Sequence, residues 1–469
     1  MSQKQGNRYE IDMCSGPLLP KILQFSIPLM CSGMLQLLFN AADIIVVGRF
    51  AGDNSLAAVG SNTSLISLLT NLFIGLSIGA NILAARFYGA GEKEGLRQTV
   101  HTSVLLSLVS GLFLAGMGIL GSRTLLIWMQ SPPEVLDLAV LYLRIYFLGM
   151  PATMLYNFGA ALLRAAGDTR RPLYILLAAG VMNVVLNLLF VIICQLDVAG
   201  VAIATVISQT ISALLVLRCM VRDQGVVHLD LRQLHIWSAR LKQILQVGLP
   251  AGFQGILFAL SNVVIQSSVN SFGNTIAAGS AAAANIESFV YVAMNAFYQA
   301  NISFTSQNVG AGNYNRIRPI LVRSQSCVIL VGLILGGLAT VSSPLLLQLY
   351  SASPAVIAAG QNRLLIVCLP YFLCGMMDVM VGSLRGIGYS VMPMLVSLVG
   401  ACCFRLVWIG TIFQVPEFHT VQTVYWSYPV SWILTFLAHL LCFLWAMGRL
   451  HRRLEEEALP ENSKPLCTE

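Results

Sequence analysis

Three acidic side chains, Asp43, Glu287 and Asp378, fall inside stretches otherwise apolar enough to cross a bilayer. An acid at the centre of a membrane helix costs roughly 2.5–3.5 kcal/mol on insertion scales, so each calls for a function or a partner. Asp43 has polar company. Gln36, Asn40 and Asp43 are spaced i, i+4, i+7 and share one helix face. Asn183 and Asn187 show the i, i+4 spacing farther along, and Thr205 and Gln209 show it again. If these three helices converge, they build a small oxygen-rich pocket around one carboxylate. Such a pocket suits a hard cation, or a proton taken up by the acid. The plainer alternative is that amides and hydroxyls only join helices. That accounts for Thr205 and Gln209 but does not require an ionisable group at position 43.

The C-terminal half carries a different set. Arg405 lies near the middle of its span, and a buried guanidinium needs a partner. Glu287 and Asp378 are the candidates. A structural ion pair would lock helices together and remove one acid from any coupling role. Asp378 also adjoins Met377, with Met376 and Met380 close by, and flexible thioethers beside an acid suit varied cationic cargo. Asp378 therefore reads either as a cargo contact or as the partner of Arg405.

The elements that must position these residues are membrane spans. Charged residues make up 10% of the chain and hydrophobic ones 57%, far from the mix of a soluble domain. Apolar runs cover roughly 20–46, 55–84, 99–122, 134–163, 172–194, 199–221, 241–269, 276–305, 320–343, 355–384, 393–415 and 424–448. The chain also repeats itself. Gly89-Ala90-Gly91 with Arg97 recurs 221 residues later as Gly310-Ala311-Gly312 with Arg318, and Pro133 recurs as Pro354. Leu163-Arg164 with Gly167 and Pro172 recurs at the same shift as Leu384-Arg385 with Gly388 and Pro393. The predicted fold is an all-α integral membrane protein with twelve transmembrane helices in two pseudo-symmetric six-helix bundles. Residues 1–221 form the N-terminal lobe, 222–240 a cytoplasmic linker, 241–448 the C-terminal lobe and 449–469 a charged tail.

The repeat preserves scaffold and varies charge. At a shift of 222, the one that relates Pro28 to Pro250, Asp43 maps onto Ile265; at 221 Asp378 maps onto Asn157, and Glu287 falls on an apolar or hydroxyl position, Ile66 or Ser67. The lobes therefore read as doing different jobs, ion coupling in the first and cargo contact in the second. Pro28 and Pro250 sit inside matched helices. The expectation is a fixed kink at Pro250, and at Pro28 either a kink or a hinge below Asp43.

Of the 27 Lys and Arg, 22 fall in one set of tails and loops, Arg385 counted among them. Lys- and Arg-rich loops stay cytoplasmic, so both termini are expected inside an inner (cytoplasmic) membrane, with no cleavable signal peptide. This bias explains the net charge of +7 without a nucleic acid partner. The eleven cysteines are scattered and read as reduced packing thiols. No phosphate-binding loop, metal-ligand spacing or nucleophile motif occurs, so neither ATP hydrolysis nor enzyme chemistry is expected, and no cofactor.

At several motifs the chain resembles the multidrug and toxic compound extrusion (MATE) transporters, of prokaryotic type. They are Asn40-Ala-Ala-Asp43-Ile-Ile-Val-Val-Gly48, Gly89-Ala-Gly91, Leu163-Arg164-Ala-Ala-Gly167-Asp168-Thr169, Asn183-Val-Val-Leu-Asn187, Gly200-Val-Ala-Ile-Ala-Thr205 and Gly310-Ala-Gly312. The resemblance covers roughly residues 15 to 450. It implies a V of two bundles, acting as a monomer in the lipid bilayer. It implies export of small organic, often cationic, amphiphiles in exchange for H⁺ or Na⁺. By resemblance Asp43 is the acid of the first-lobe cation site, Asn183 and Thr205 are its polar partners, and Pro28 is the proline linked to bending. Asp378 resembles a second-lobe acid. Asn187 departs, since many prokaryotic relatives have Asp there, which weakens Na⁺ binding or leaves a proton site on Asp43 alone. A glutamate that some members place in helix seven is also missing from the region of Phe258, Asn262 and Gln266. Two other functions compete. A lipid-linked sugar flippase of the same superfamily would carry a basic cavity, against which stands a single mid-span arginine. A transport-dead membrane sensor would show no ion-driven flux.

Overall fold

A computed structural model describes residues 9–129, 131–223, 225 and 227–458. The terminal residues 1–8 and 459–469 lie outside it. Every regular element among the described residues is helical, as hydrocarbon requires of a chain that must satisfy its own backbone. The N-terminal lobe comprises α1 (Leu18–Phe50), α2 (Asp53–Ala90), α3 (Lys93–Trp128), α4 (Pro133–Leu148), α5 (Met150–Ala165), α6 (Arg170–Leu188) and α7 (Asp197–Arg222). The C-terminal lobe comprises α8 (Ser238–Asn270), α9 (Asn274–Gly310), α10 (Ile317–Val341), α11 (Ser343–Gln348), α12 (Pro354–Arg363), α13 (Phe372–Ile387), α14 (Val391–Ser397), α15 (Phe404–Gly410) and α16 (Val421–Ala458).

Eleven stretches are long and apolar enough to span a membrane, and α4 with α5 makes a twelfth, bent by 47°. The bend falls at Gly149, with Pro151 opening α5. The C-terminal lobe breaks its fourth span in the same way, at Pro370 between α12 and α13. The twelve expected spans are thus present, and both interrupted ones carry a proline at the break, whereas α1, α8 and α16 continue through Pro28, Pro250 and Pro429. The charged tail begins as a continuation of α16, which runs unbroken to Ala458.

The lobes meet through the N-terminal halves of α1 and α8 and the C-terminal halves of α2 and α9, beside the Lys- and Arg-rich loops. The contact is reciprocal. A Cβ on Gly89 would fall 2.0 Å from the carbonyl oxygen of Gln307, and one on Gly310 would fall 1.9 Å from that of Arg86. Residues 86 and 307, and 89 and 310, are related by the 221 shift, so each lobe presents the same glycine to the same backbone of the other. Gly75 and Gly79 of α2 likewise abut Gly252 and Gly248 of α8. Only glycine allows backbones this close.

A segment expected to be a plain polar tail is instead built in. Met13 is fully buried. Asn308 donates to its carbonyl at 3.0 Å, Asn313 to that of Cys14 at 3.3 Å and Arg316 to that of Gly16 at 3.0 Å. On the other lobe, Tyr88 donates to Glu10 at 3.0 Å, and Gly167 leaves just enough room for the backbone of Ile11. Residues 10–16 therefore bridge both lobes at their closed end.

Candidate functional site

In the N-terminal lobe α1, α6 and α7 converge as their polar stripes predict. Gly180 of α6 sets the approach, since a Cβ there would lie 1.8 Å from the ring of Phe39. With Phe39 seated on α6, Asp43 one turn on faces the asparagines. Asn187 donates its NH2 to Asp43, and also to the Asn183 oxygen at 3.3 Å. Asn183 donates to the Thr205 hydroxyl at 3.5 Å, and Thr205 donates to the Val201 carbonyl at 2.9 Å. Beside this chain lies a cavity of about 60 Å³ lined by Gln36, Asn40, Asp43, Asn183, Thr205 and Gln209 among others. It has room for a water or a bare cation. Gln36 and Asn40 stand at its exposed side, whereas Asn187 is wholly buried behind it. Asp43 is the one ionisable group in the lining and pairs with no cation among the described residues. The buried Asn187 side-chain oxygen has no donor. The pocket thus offers one carboxylate and neutral oxygens, with an unused acceptor buried behind it.

Pro28 leaves α1 unbroken as an element, and the Ser32 hydroxyl donates to its carbonyl at 2.9 Å. Fifteen residues of helix, about 22 Å, separate Pro28 from Asp43. Any hinge there acts through the helix and not by contact.

The C-terminal lobe corrects the expected ion pair. Glu287 is bound by Arg363, not Arg405. The guanidinium meets both carboxylate oxygens at 2.9 Å and donates to Ser280 at 2.8 Å. Both partners are buried, and Glu287 is not among the residues lining the second-lobe cavity described below. Glu287 and Arg363 lie 11 and 8 residues into the spans 276–305 and 355–384, a match in depth that does not say which helices become neighbours. Asp378 is not the partner of Arg405 either. Its neighbours are the Tyr291 hydroxyl and, beyond ion-pair distance, Arg385. Arg405 instead donates to the Ser431 hydroxyl at 2.8 Å and lies 4.3 Å above the Tyr428 ring and 5.7 Å from that of Trp432. Aromatic faces and a hydroxyl hold the cation where a carboxylate was expected.

Asp378, Arg385 and Arg405 line one cavity of about 510 Å³ that reaches Asn71 and Ile78 of the opposite lobe. Arg385, read from the sequence as a cytoplasmic-loop residue, is 3% exposed within α13. It donates to the Tyr298 hydroxyl at 2.5 Å and to the Gln254 oxygen at 2.7 Å. The single mid-span arginine is therefore an undercount. Of the three methionines near Asp378, Met377 lines the cavity, while Met380 belongs to the core and Met376 packs against it.

Comparison with known proteins comes to one family. The MatE family profile matches residues 28–189 and again 250–408. The chain is 29% identical over 382 residues to "Probable multidrug resistance protein YoeA" of Bacillus subtilis (strain 168), covering 80% of this chain and 82% of that one. It is 27% identical over 394 residues to "Probable multidrug resistance protein YpnP" of the same organism, covering 84% and 88%. A solved outward-facing structure of a multidrug resistance MATE family transporter of the MOP superfamily superposes with a TM-score of 0.87 at 22% identity, covering 96% of this chain and 99% of that one.

Proposed function

Since the chain belongs to the MatE family, a family of multi-pass membrane transporters and not of enzymes, we propose that it exports small organic compounds by alternating access, in exchange for H⁺ or Na⁺ bound at Asp43. The observation that carries this reading is the chain of contacts from Asp43 through Asn187 and Asn183 to Thr205, closed around a cavity fit for one small ion. A purely structural role would not need a carboxylate there. Asn187 turns its NH2 and not its oxygen toward Asp43, so a Na⁺ there would lack that oxygen as a ligand, whereas H⁺ needs only the carboxylate. The names of its relatives, multidrug resistance proteins, support varied organic cargo. The close packing beside the Lys- and Arg-rich loops fits a state closed to the cytoplasm, with both termini inside the inner membrane.

The decisive experiment is dye efflux from inverted vesicles under separately imposed pH and Na⁺ gradients, with wild type and Asp43→Asn. Efflux that ignores both gradients would end the antiport reading and favour a transport-dead sensor. A second reading, a lipid-linked sugar flippase, gains from one observation: two arginines line the second-lobe cavity where the sequence suggested one. Competition of dye efflux by a lipid-linked sugar distinguishes it.

A further inference from the structure

The cargo class can be read from the charge of the second-lobe cavity, granted the transport reading above. Its lining holds two guanidinium groups and one carboxylate. Arg385 lies near Asp378 and is further held by Tyr298 and Gln254. Among the described residues Arg405 differs in having no carboxylate even at the longer distance of Asp378 from Arg385, its titratable surroundings being tyrosines and cysteines. It is 3% exposed and has no carboxylate partner among the described residues. Its Nη2 is buried with no acceptor at all. Elsewhere in this lobe the fold meets the same problem differently, giving buried Arg363 a bidentate carboxylate. A buried cation left without a counter-charge is costly in a membrane protein, and such residues mark the path of a ligand that supplies the charge. The surroundings of Arg405 specify more. Tyr428 and Trp432 line the cavity beside it, and Tyr371 packs on Trp432 with ring centroids 5.2 Å apart. These rings offer a surface to a planar or apolar body, and the Arg405 guanidinium a charge to an acidic group.

We infer that the second-lobe cavity takes an aromatic or amphiphilic compound bearing a carboxylate, sulfonate or phosphate, and that Arg405 is the residue that binds this acidic group. The resemblance pointed to cations. The cavity's formal charge and its unpaired guanidinium point to anions. Arg385 and Asp378, near each other, leave Arg405 as the free positive centre. A cargo with a positive group as well is accommodated by Asp378.

The test uses two dyes on one xanthene skeleton, anionic fluorescein and cationic rhodamine 123, with the full-length purified chain. Binding is measured in detergent by fluorescence anisotropy, and gradient-driven flux in proteoliposomes. The expected result is tighter binding of fluorescein by wild type. Arg405→Gln should weaken fluorescein by about tenfold or more, as for loss of a charged hydrogen bond, with rhodamine 123 little changed, and Arg405→Lys should recover part of the loss. Tighter binding of rhodamine 123 by wild type would overturn the inference, as would an Arg405→Gln protein that keeps its preference for fluorescein. The wild-type comparison decides even if the variant does not fold. Failure of flux for both dyes under every gradient would instead count against the transport reading, while the binding arm still judges the cavity.

Discussion

The two lobes share a scaffold and differ in charge. The first encloses about 60 Å³ around one carboxylate with no cation in its lining. The second encloses about 510 Å³ with two guanidinium groups to one carboxylate. The residues that shape the packing recur, down to the reciprocal contacts of Gly89 and Gly310. The acids within the spans do not: Asp43, Glu287 and Asp378 have no acidic counterpart, whereas Arg385 keeps Arg164 as its own. Duplication has kept what lets two bundles fit together, and on the function proposed above it leaves one half for a small ion and the other for a larger compound.

That division can be broken experimentally. The largest effect is expected from Asp43→Asn, which should abolish ion-driven efflux while leaving dye binding at the second lobe intact; loss of binding as well would mean that the lobes are not separable. In wild type, a pH gradient should drive efflux at least as well as a Na⁺ gradient, and a strict Na⁺ requirement would assign the first pocket to a metal cation. Next comes Arg363→Ala, which leaves Glu287 buried and unpaired. It should destabilise the protein by about 3–5 kcal/mol, read as a fall in thermal melting, with all cargo affected alike. Selective loss of one cargo class would move Glu287 back into the binding site. A smaller, selective change is expected from Asp378→Asn: severalfold tighter binding of anionic dye, weaker binding of cationic dye and little change in melting. A uniform loss with a large drop in stability would make Asp378 structural. Arg405→Ala, by contrast, exposes no carboxylate, and the destabilisation anticipated from an ion pair is no longer expected.

The smallest effect concerns Glu10, outside the spans. Burial pushes its carboxyl up from the ordinary range, against the Tyr88 hydrogen bond, with Asp223 and Asp168 adding to the rise and Arg171 opposing it. Docked, the group holds its proton to higher pH than when released. Docking of residues 10–16 is therefore strongest below the usual carboxylate range and weakens as pH rises through the docked value. Protease cleavage within this segment should increase with pH in wild type relative to Glu10→Gln. An identical pH profile in the two proteins would remove Glu10 as the cause.

The spans, the repeat and the first-lobe pocket were readable in the sequence because each rests on local spacing. Asp43, Asn183 and Thr205 lie on apolar helices where one polar face has one place to go. Proline and glycine at Gly149, Pro151 and Pro370 marked the bends only in hindsight, since hydropathy runs through them unbroken. The pairing of Arg363 with Glu287 was hidden because it depends on which helices become neighbours, and spacing along one helix does not report that. Arg385 was misplaced because its repeated motif ends a helix, which resembles a loop until α13 is seen to bury it. The docked segment at residues 10–16 has no periodicity to detect. It is held through its own carbonyls, which every sequence possesses.

That segment has a consequence for how the protein is made. The carbonyl of Met13 waits for an amide 295 positions downstream. Chains emerge and fold from their N-terminal side, so residues 10–16 leave the ribosome long before Asn308, Asn313 and Arg316 exist to hold them. Their seat is complete only when both lobes are inserted and joined. The docked segment is thus a record of finished assembly: a chain stalled after its first lobe has every residue of the segment and, of the four hydrogen bonds described above, only that from Tyr88.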